Sequence, residues 1–353
     1  MKLHIFNPEH DLVLAAEEAF GHYTPPRAAM ALRRDLGFLP AFWTSMGDAV
    51  LVDDREKARR ASAPFTAYFL QPLFISDDQL KKLVQEGVTD WEVCPWGWDS
   101  LVRDRLKRAG LPSSILPSDE ELAHIRRLSH RATTIPLLHE MVSDLQQTVG
   151  ERWVAHSMEE MEAFLSREGA LVLKAPWSST GRGVRFVEGP LSPSELGFVG
   201  NTLAVQGGIV VEPHYDRVLD FAMEYDICAD GGARYAGLSL FDTDGTGYVG
   251  GVLADEEEKM RIVGGYLPQG LLEIVKSRIG GWLQQTMGCY VGPVGIDMMV
   301  VRIADGYRLH PCVEMNVRRT MGHAAIAIAR RIGGGHSRMA IHYKNGNYQL
   351  KII

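Results

Sequence analysis

The sequence contains no run approaching the roughly 18 apolar residues that a membrane-spanning helix needs, and Met1 to Asp11 include no apolar core of a secretory leader. No membrane association is expected, and the expected compartment is the cytoplasm. Cysteine is scarce. Cys94, Cys228, Cys289 and Cys312 are scattered and form no C-x-x-C pair. That excludes a disulfide framework and reads as reduced thiols, mostly buried. No H-E-x-x-H or G-x-S-x-G stretch is present, which disfavours zinc peptidases of that type and serine hydrolases. Basic residues are not in surplus: 37 against 44 acidic give a net charge of −7. A nucleic-acid or anionic-membrane partner is therefore not expected, although a local cluster of Lys and Arg still suits a small anion.

What is present is an ordinary globular composition, 46% hydrophobic and 23% charged over 353 residues, enough for about two or three domains. Residues 2–6 read as a buried strand. Ser76 with Gln79 forms a capping box that opens a helix over 76–86, and Leu101 to Ala109 reads as another helix. Residues 1–117 are thus expected to form a small α/β domain with a parallel sheet. Ser118 with Glu121 opens the next unit. A helix near Pro136 runs to Val149, and Ser157 with Glu160 caps a helix over 158–167. Strands follow at 170–174, 183–187 and 208–212, with a short helix opened by Ser192 between the last two. This makes 118–212 a small α+β lobe. In 213–353 the apolar stretches at 220–229, 235–241, 294–301 and 308–315, with a helix at 268–287, suggest a mostly antiparallel sheet.

Three stretches carry chemistry. In the first, Lys174 ends an apolar strand and is followed by Ala175-Pro176-Trp177-Ser178-Ser179-Thr180-Gly181-Arg182-Gly183. One fixed cation plus hydroxyls and closely approachable backbone N–H groups suits phosphate, though a solvated hairpin turn has the same composition. In the second, Asp297 lies within an apolar strand, and Glu314 and Asn316 share one face of another. Three hard oxygen donors on neighbouring strands suit Mg²⁺. In the third, Ile209-Val210-Val211-Glu212-Pro213 runs into Asp220, either a plain strand end or a hinge whose backbone can bond an adenine edge.

In this order the three stretches resemble the ATP-grasp superfamily over roughly 118–330. Glu314-Met315-Asn316-Val317-Arg318 is similar to the Glu-x-Asn-x-Arg form of its biotin carboxylase and carbamoyl phosphate synthetase branch. The resemblance implies an N-terminal parallel α/β domain for substrate, 1–117, followed by a two-lobed ATP-grasp domain: a small lobe over 118–212 and a large, metal-binding lobe over 213–353. It also implies roles. Lys174 would contact the ATP phosphates, with Arg131 as a second cation. Ser178, Ser179, Gly181, Arg182 and Gly183 would form a flap. Glu212 would lie by the adenine and Asp220 by the ribose. Asp297, Glu314 and Asn316 would hold Mg²⁺ or Mn²⁺. Arg318 and Arg319 would clamp a carboxylate or acyl phosphate. Asn7-Pro8-Glu9-His10-Asp11 looks somewhat like the Glu-His-Glu loop of D-alanine–D-alanine ligases, which makes Glu9 and His10 substrate candidates.

The activity implied is ATP-dependent ligation: a carboxylate becomes an acyl phosphate and is coupled to an amine. The alternatives are an ATP-grasp kinase acting on a hydroxyl, or a non-catalytic nucleotide-binding module. Small-molecule carboxylate and amine substrates are the expected partners, and an oligomer is compatible with the sequence. Gly245-Thr246-Gly247-Tyr248-Val249-Gly250 matches G-x-G-x-x-G, but no helix follows and Asp242 and Asp244 would repel a pyrophosphate. The same stretch begins like a calcium loop but has Leu253 at the twelfth position, where that loop needs Glu. It is either a loop near the substrate or a surface hairpin. His310, Cys312 and Glu314 alternate onto one strand face without a fourth zinc ligand, so a buried cysteine and a hydrogen-bonded histidine are expected.

Overall fold

In the computed structural model the described residues are 1–16, 23–70, 72–178, 183–244, 247–333, 335 and 337–353. The N-terminal segments are β1 (Lys2–Ile5), α1 (His10–Ala16), α2 (Arg27–Leu36), β2 (Ala49–Leu51), α3 (Arg55–Ser62), β3 (Leu73–Ile75), α4 (Asp77–Gln85), β4 (Glu92–Pro95) and α5 (Ser100–Arg108). The strands form a parallel sheet in the order β3-β2-β1-β4. Helices cover both faces, so β2 is wholly apolar and buried and β1 is buried from Leu3 to Ile5. Leu3, Ile5, Leu51 and Leu106 pack on one side, and Phe6, Val50, Phe38 and Phe42 on the other. The strand order reverses beside β1, which opens a crevice at the carboxyl ends of β1 and β4. Asn7 closes its floor, donating from Nδ2 to Gly97 O (2.8 Å) and to Asp99 Oδ2 (2.9 Å).

Next come α6 (Asp119–Leu128), α7 (Ile135–Asp144), β5 (Trp153–Ala155), α8 (Met158–Glu168), β6 (Ala170–Lys174), β7 (Val184–Glu188), α9 (Pro193–Gln206) and β8 (Ile209–Pro213). The strands pair as an antiparallel sheet, β5-β8-β6-β7, with its own core of Met161, Leu171, Leu173, Val199 and Val211. Leu122, Ile125, Leu128, Leu137 and Met141 of α6 and α7 instead join the core of the sheet that follows. The helix expected to reach Val149 ends at Asp144. Leu145 turns extended, and Val149 N–H bonds Leu309 O (2.8 Å) across to the larger sheet.

The last segments are β9 (Arg217–Ile227), β10 (Ala233–Asp244), β11 (Gly247–Leu253), α10 (Glu256–Gly264), α11 (Leu271–Thr286), β12 (Gly292–Ile303), β13 (Gly306–Asn316), α12 (Met321–Ile332), β14 (Ser337–Lys344) and β15 (Asn347–Ile352). They build an antiparallel sheet in the order β13-β12-β9-β10-β11-β14-β15. The expected parallel and antiparallel halves are thus both present. Sequence reading placed no element after Met315, yet α12 and the β14–β15 hairpin tie the large sheet to the first domain. Ala325, Ile328, Ala329, Met339 and Leu350 share one core with Phe38 and Phe42. Among the described residues no helix is long and apolar enough to cross a membrane.

His310 on β13 is fully buried, packed edge-on at 5.5 Å from the Tyr215 ring. It was expected to be hydrogen-bonded, but neither ring nitrogen finds a partner in the structure. Burial, with Arg152 and Lys174 nearby and outweighing the pull of Glu212, pushes its pKa down to about 3. The folded chain therefore keeps the imidazole neutral, while the unfolded chain takes up a proton near pH 6.5. Between these values the unfolded state binds the extra proton, so stability present above pH 6.5 is lost as the pH falls toward 3, by up to about 1.4 kcal/mol per pH unit. His310→Gln should lose less stability than the parent between pH 6.5 and 4. Urea midpoints measured across that range check it, and parallel slopes would refute it.

Candidate active site

The acidic motif sits where β12 and β13 pair. Asp297 lies directly opposite Glu314, and Gly295 opposite Asn316, with a bulge between Asp297 and Met299. Two carboxylates are therefore neighbours on one sheet face. Asp297 is only partly accessible, and its pKa stands well above the usual carboxylate range, from burial first and then from Glu314 and from Glu224 on the adjacent strand β9. Asn316 donates Nδ2–H to Asp297 Oδ2 at 3.1 Å. The donor set is two carboxylates and an amide oxygen, all hard, and it holds more negative charge than it can settle alone. These residues fit a small divalent cation such as Mg²⁺.

Two arginines reach into this set. Arg131, from the 3₁₀ turn Arg131–Thr134, donates Nη2–H to Glu314 Oε1 (2.8 Å) and Nη1–H to Ser178 Oγ (2.8 Å) and Ala175 O (2.5 Å). Arg318 donates Nη2–H to Asn316 Oδ1 (2.8 Å) and forks onto the Asp11 carboxylate, with Nε 2.9 Å from both oxygens. Burial alone would raise Asp11, but Arg318 outweighs it and holds the carboxyl low. Asp11, Arg131, Ser178, Glu314 and Asn316 line one small cleft.

The stem of the Ser/Gly loop is firmly held. Trp177 donates Nε1–H to Arg126 O (2.9 Å), receives the Arg126 guanidinium over its ring at 3.9 Å, and has its backbone N–H on Gln206 Oε1 (2.9 Å). Gly183, at the other stem, bonds back through its carbonyl to Ala175 N–H (2.8 Å), and a Cβ there would overlap Ser178. Ser179, Gly181 and Arg182 lie outside the described residues.

Lys174 and Glu212 are both buried and paired, Nζ to Oε2 at 2.6 Å. Arg152 takes the other oxygen, Nε to Oε1 at 2.5 Å. Burial would raise Glu212, yet these two cations hold it down at about 2. Asp220, on β9, accepts from Thr243 Oγ1 (2.9 Å) and pairs with Arg217 (3.1 Å). Its pKa is raised by burial. Arg319 points away from the motif, with its guanidinium 4.9 Å over Trp43, while its backbone N–H donates to Trp96 O (2.7 Å). Glu9 pairs with Arg33, and His10 Nδ1 lies 3.4 Å from Asp99 Oδ2, both in the N-terminal crevice. Glu9 Oε2 and His10 Nε2 are buried without hydrogen-bond partners. Gly245 and Thr246 of the G-x-G-x-x-G stretch are outside the described residues. The flanking strands β10 and β11 pair as a hairpin, with Asp244 opposite Gly247.

The structure thus places two hydrogen-bonded sets side by side, Arg131 with Ser178 and Glu314, and Arg318 with Asn316 and Asp297, and joins Lys174 and Glu212 to the first through Arg152. Asp220, Arg319, Glu9 and His10 have their contacts elsewhere. Three participants were not anticipated from the sequence. Arg152 follows no motif. Asp11 stood in a quoted loop but had no role. Glu224 lay unmarked in an apolar strand, and it is almost fully buried. Ser239 Oγ (3.0 Å) and Thr320 Oγ1 (2.8 Å) donate to it, and His323 Nδ1 lies at 2.9 Å. Thr320 and His323 form the capping box of α12, so Glu224 sits at that helix's N-terminus, where negative charge is favoured.

Comparison with solved structures returns proteins of the same architecture at low identity. A biotin carboxylase from Campylobacter jejuni, bound to a β,γ-ATP ligand, superposes with a TM-score of 0.51 at 13% identity, over 96% of this chain and 75% of its own. The biotin carboxylase domain of the 2-oxoglutarate carboxylase of Hydrogenobacter thermophilus, with MgADP, ADP and bicarbonate, gives 0.51 at 12%, over 96% and 74%. N5-carboxyaminoimidazole synthetase from Staphylococcus aureus, with ADP, gives 0.50 at 9%, over 98% and 83%. No family model matches the sequence, and no curated protein matches it.

The tight fit of α12 gives a test. A Cβ on Gly322 would overlap Glu224 Oε1 and Ser239 Oγ, and Ser239 Cβ at 2.8 Å leaves no slack. Gly322→Ala should cost about 1–3 kcal/mol through overpacking. In Gly280→Ala, within α11, the added Cβ meets nothing nearer than Tyr225 Cε1 at 4.0 Å. It should be neutral or gain up to about 1 kcal/mol of helix propensity. Denaturation midpoints of the two variants compared directly decide this, and equal midpoints would count against it.

Proposed function

We propose that this chain, which has the ATP-grasp fold, is an ADP-forming ligase that binds MgATP between its lobes and couples a small-molecule carboxylate to an amine. The lobes of this reading are 118–212 and 213–353, with 1–117 supplying a substrate crevice. The observation that carries it is the side-by-side placement of Asp297, Glu314 and Asn316, linked by Arg131 to Ser178 at the stem of the Ser/Gly loop. Such a set belongs with a phosphorylated ligand, because bare nucleotide recognition needs no paired carboxylates beside a phosphate loop.

In the proposed reaction a substrate carboxylate oxygen attacks the γ-phosphorus, the bond to the bridging oxygen breaks, and ADP leaves. The amine then attacks the acyl carbon, releasing inorganic phosphate and a proton. Mg²⁺, held by Asp297, Glu314 and Asn316, would supply charge neutralisation at the phosphates. The protein's part is alignment and electrostatic support. Lys174 and Arg131 offset phosphate charge. Ser178 and the rest of the Ser178–Gly183 loop cover the reacting centre and exclude water, which matters because an acyl phosphate hydrolyses readily. Glu212 lies by the adenine and Asp220 by the ribose. Arg318 clamps the substrate carboxylate, a fork already shaped for one by Asp11. Arg319 enters this reading only secondarily, from its place over Trp43. Glu9 and His10 serve the amine side in the crevice.

Two substitutions test the core of this reading, Glu314→Gln and Asn316→Ala. Each should remain folded by circular dichroism yet lose ADP release at least about a hundredfold, since several kcal/mol of charge stabilisation depends on the set. ADP release is screened against pooled amino acids, peptides and polyamines, with excess Mg²⁺. Near-normal release by either variant would sink the assignment.

A further inference from the structure

Arg152 is the largest fully buried side chain among the described residues, with 1% exposure. It stands just before β5, outside every motif described above. All three of its guanidinium nitrogens are engaged. Nε donates to Glu212 Oε1 (2.5 Å). Nη1 donates to Thr134 Oγ1 (2.7 Å) and Arg131 O (3.3 Å), and Nη2 to Cys312 O (3.0 Å) and Val313 O (2.5 Å). Among the described residues Glu212 is its one directly bonded carboxylate, and Glu212 is shared: Lys174 Nζ holds the other oxygen at 2.6 Å. Two buried cations therefore meet one buried anion.

A Lys174–Glu212 pair alone would be neutral, and the lysine would offer a phosphate little net attraction. Arginine does not deprotonate in proteins, so the surplus charge cannot be lost from Arg152. The carbonyls around Arg152 reduce its desolvation cost but bring no full charge to cancel it. Glu314, a further acid acting on both Arg152 and Lys174, already pairs with Arg131 at 2.8 Å. We propose that Arg152 is a positioning residue which, by taking one oxygen of Glu212, leaves the Lys174 ammonium with net positive charge to spare for the phosphate chain of a nucleotide. This rests on Lys174 being the phosphate cation of the reading above. In keeping with it, burial pulls Lys174 down from the ordinary lysine range, with Arg152 adding to that pull, the direction expected of an under-neutralised buried cation.

The experiment measures affinity by calorimetry for the magnesium complex of β,γ-imido-ATP and for adenosine, and reads their ratio, which cancels changes at the adenine. Lys174→Ala should lower the ratio. Arg152→Met should lower it about tenfold or more, the scale of one charge-assisted contact, and Arg152→Lys should recover part of the loss. Glu212→Gln should raise it. The double variant Arg152→Met, Glu212→Gln should return it toward the parent value, because Lys174 regains an unshared charge although the carbonyl contacts of Arg152 stay lost. A merely structural Arg152 would not be rescued in this way. If Arg152→Met does not fold, Glu212→Gln still decides, since an unchanged or lower ratio there overturns the charge-sharing idea. A ratio lowered by Lys174→Ala but not by Arg152→Met overturns the inference alone. A ratio that Lys174→Ala leaves unchanged overturns the reading beneath it, and the inference with it.

Discussion

The organisation of this protein turns on one register. With Asp297 opposite Glu314, two carboxylates stand side by side on adjacent strands. Neighbouring like charges on one sheet face are unfavourable, and burial in the company of Glu224 makes them more so. Each guanidinium drawn in to offset them comes from a different part of the chain. Arg131 brings the turn before α7 and, through Ser178, the stem of the Ser/Gly loop. Arg318 brings Asp11 and with it the loop after β1. A local electrostatic cost is thus met at a point where three distant stretches of the chain converge.

A second buried charge set, Arg152, Glu212 and Lys174, works differently. Replacing a buried ion pair with apolar groups often costs little or nothing, so stability alone is a poor reason for burying two cations and one carboxylate. The carbonyls that receive Arg152 belong to Arg131, Cys312 and Val313, all next to the acidic motif. The small sheet is therefore fastened to β13 at the place where a ligand spanning both would need fixed spacing. On the proposed reading, that fixed spacing, more than folding energy, accounts for the cost of desolvation.

Much of this was legible in the sequence, for identifiable reasons. Period-two apolar runs and capping boxes are local signals, and β6, β8, β9, β12 and β13, together with α4, α6 and α8, formed where those signals stand. Glu314 and Asn316 were readable because side chains two apart on a strand share a face. The misreadings came from long-range effects. The helix expected to reach Val149 stops at Asp144 because a backbone bond to Leu309, far away in the chain, takes Val149 out. Arg152 and Glu224 were invisible because a single charged residue in an apolar setting carries no pattern, and its partners are supplied only by the fold. Arg319 adjoins Arg318 in sequence, but Trp43 and Trp96, near neighbours only in space, turn it aside.

The end of the chain explains how the acidic motif is held still. Directly after Asn316, Arg318 and Arg319, the chain enters α12, whose capping Thr320 and His323 rest on the buried Glu224. The helix N-terminus is thereby pinned to the centre of the large sheet, by a carboxylate on a strand two removed from β13. Its far end presses Ala325, Ile328 and Ala329 into the aromatic core of the first domain beside Phe38 and Phe42. The crevice at the end of β1 and the acidic pair on β12 and β13 are therefore fixed to the same rigid helix. A substrate bound in the crevice and a nucleotide bound at the acidic pair would meet across a distance set by apolar packing and by the Arg318–Asp11 fork, a polar link that a ligand carboxylate could compete for.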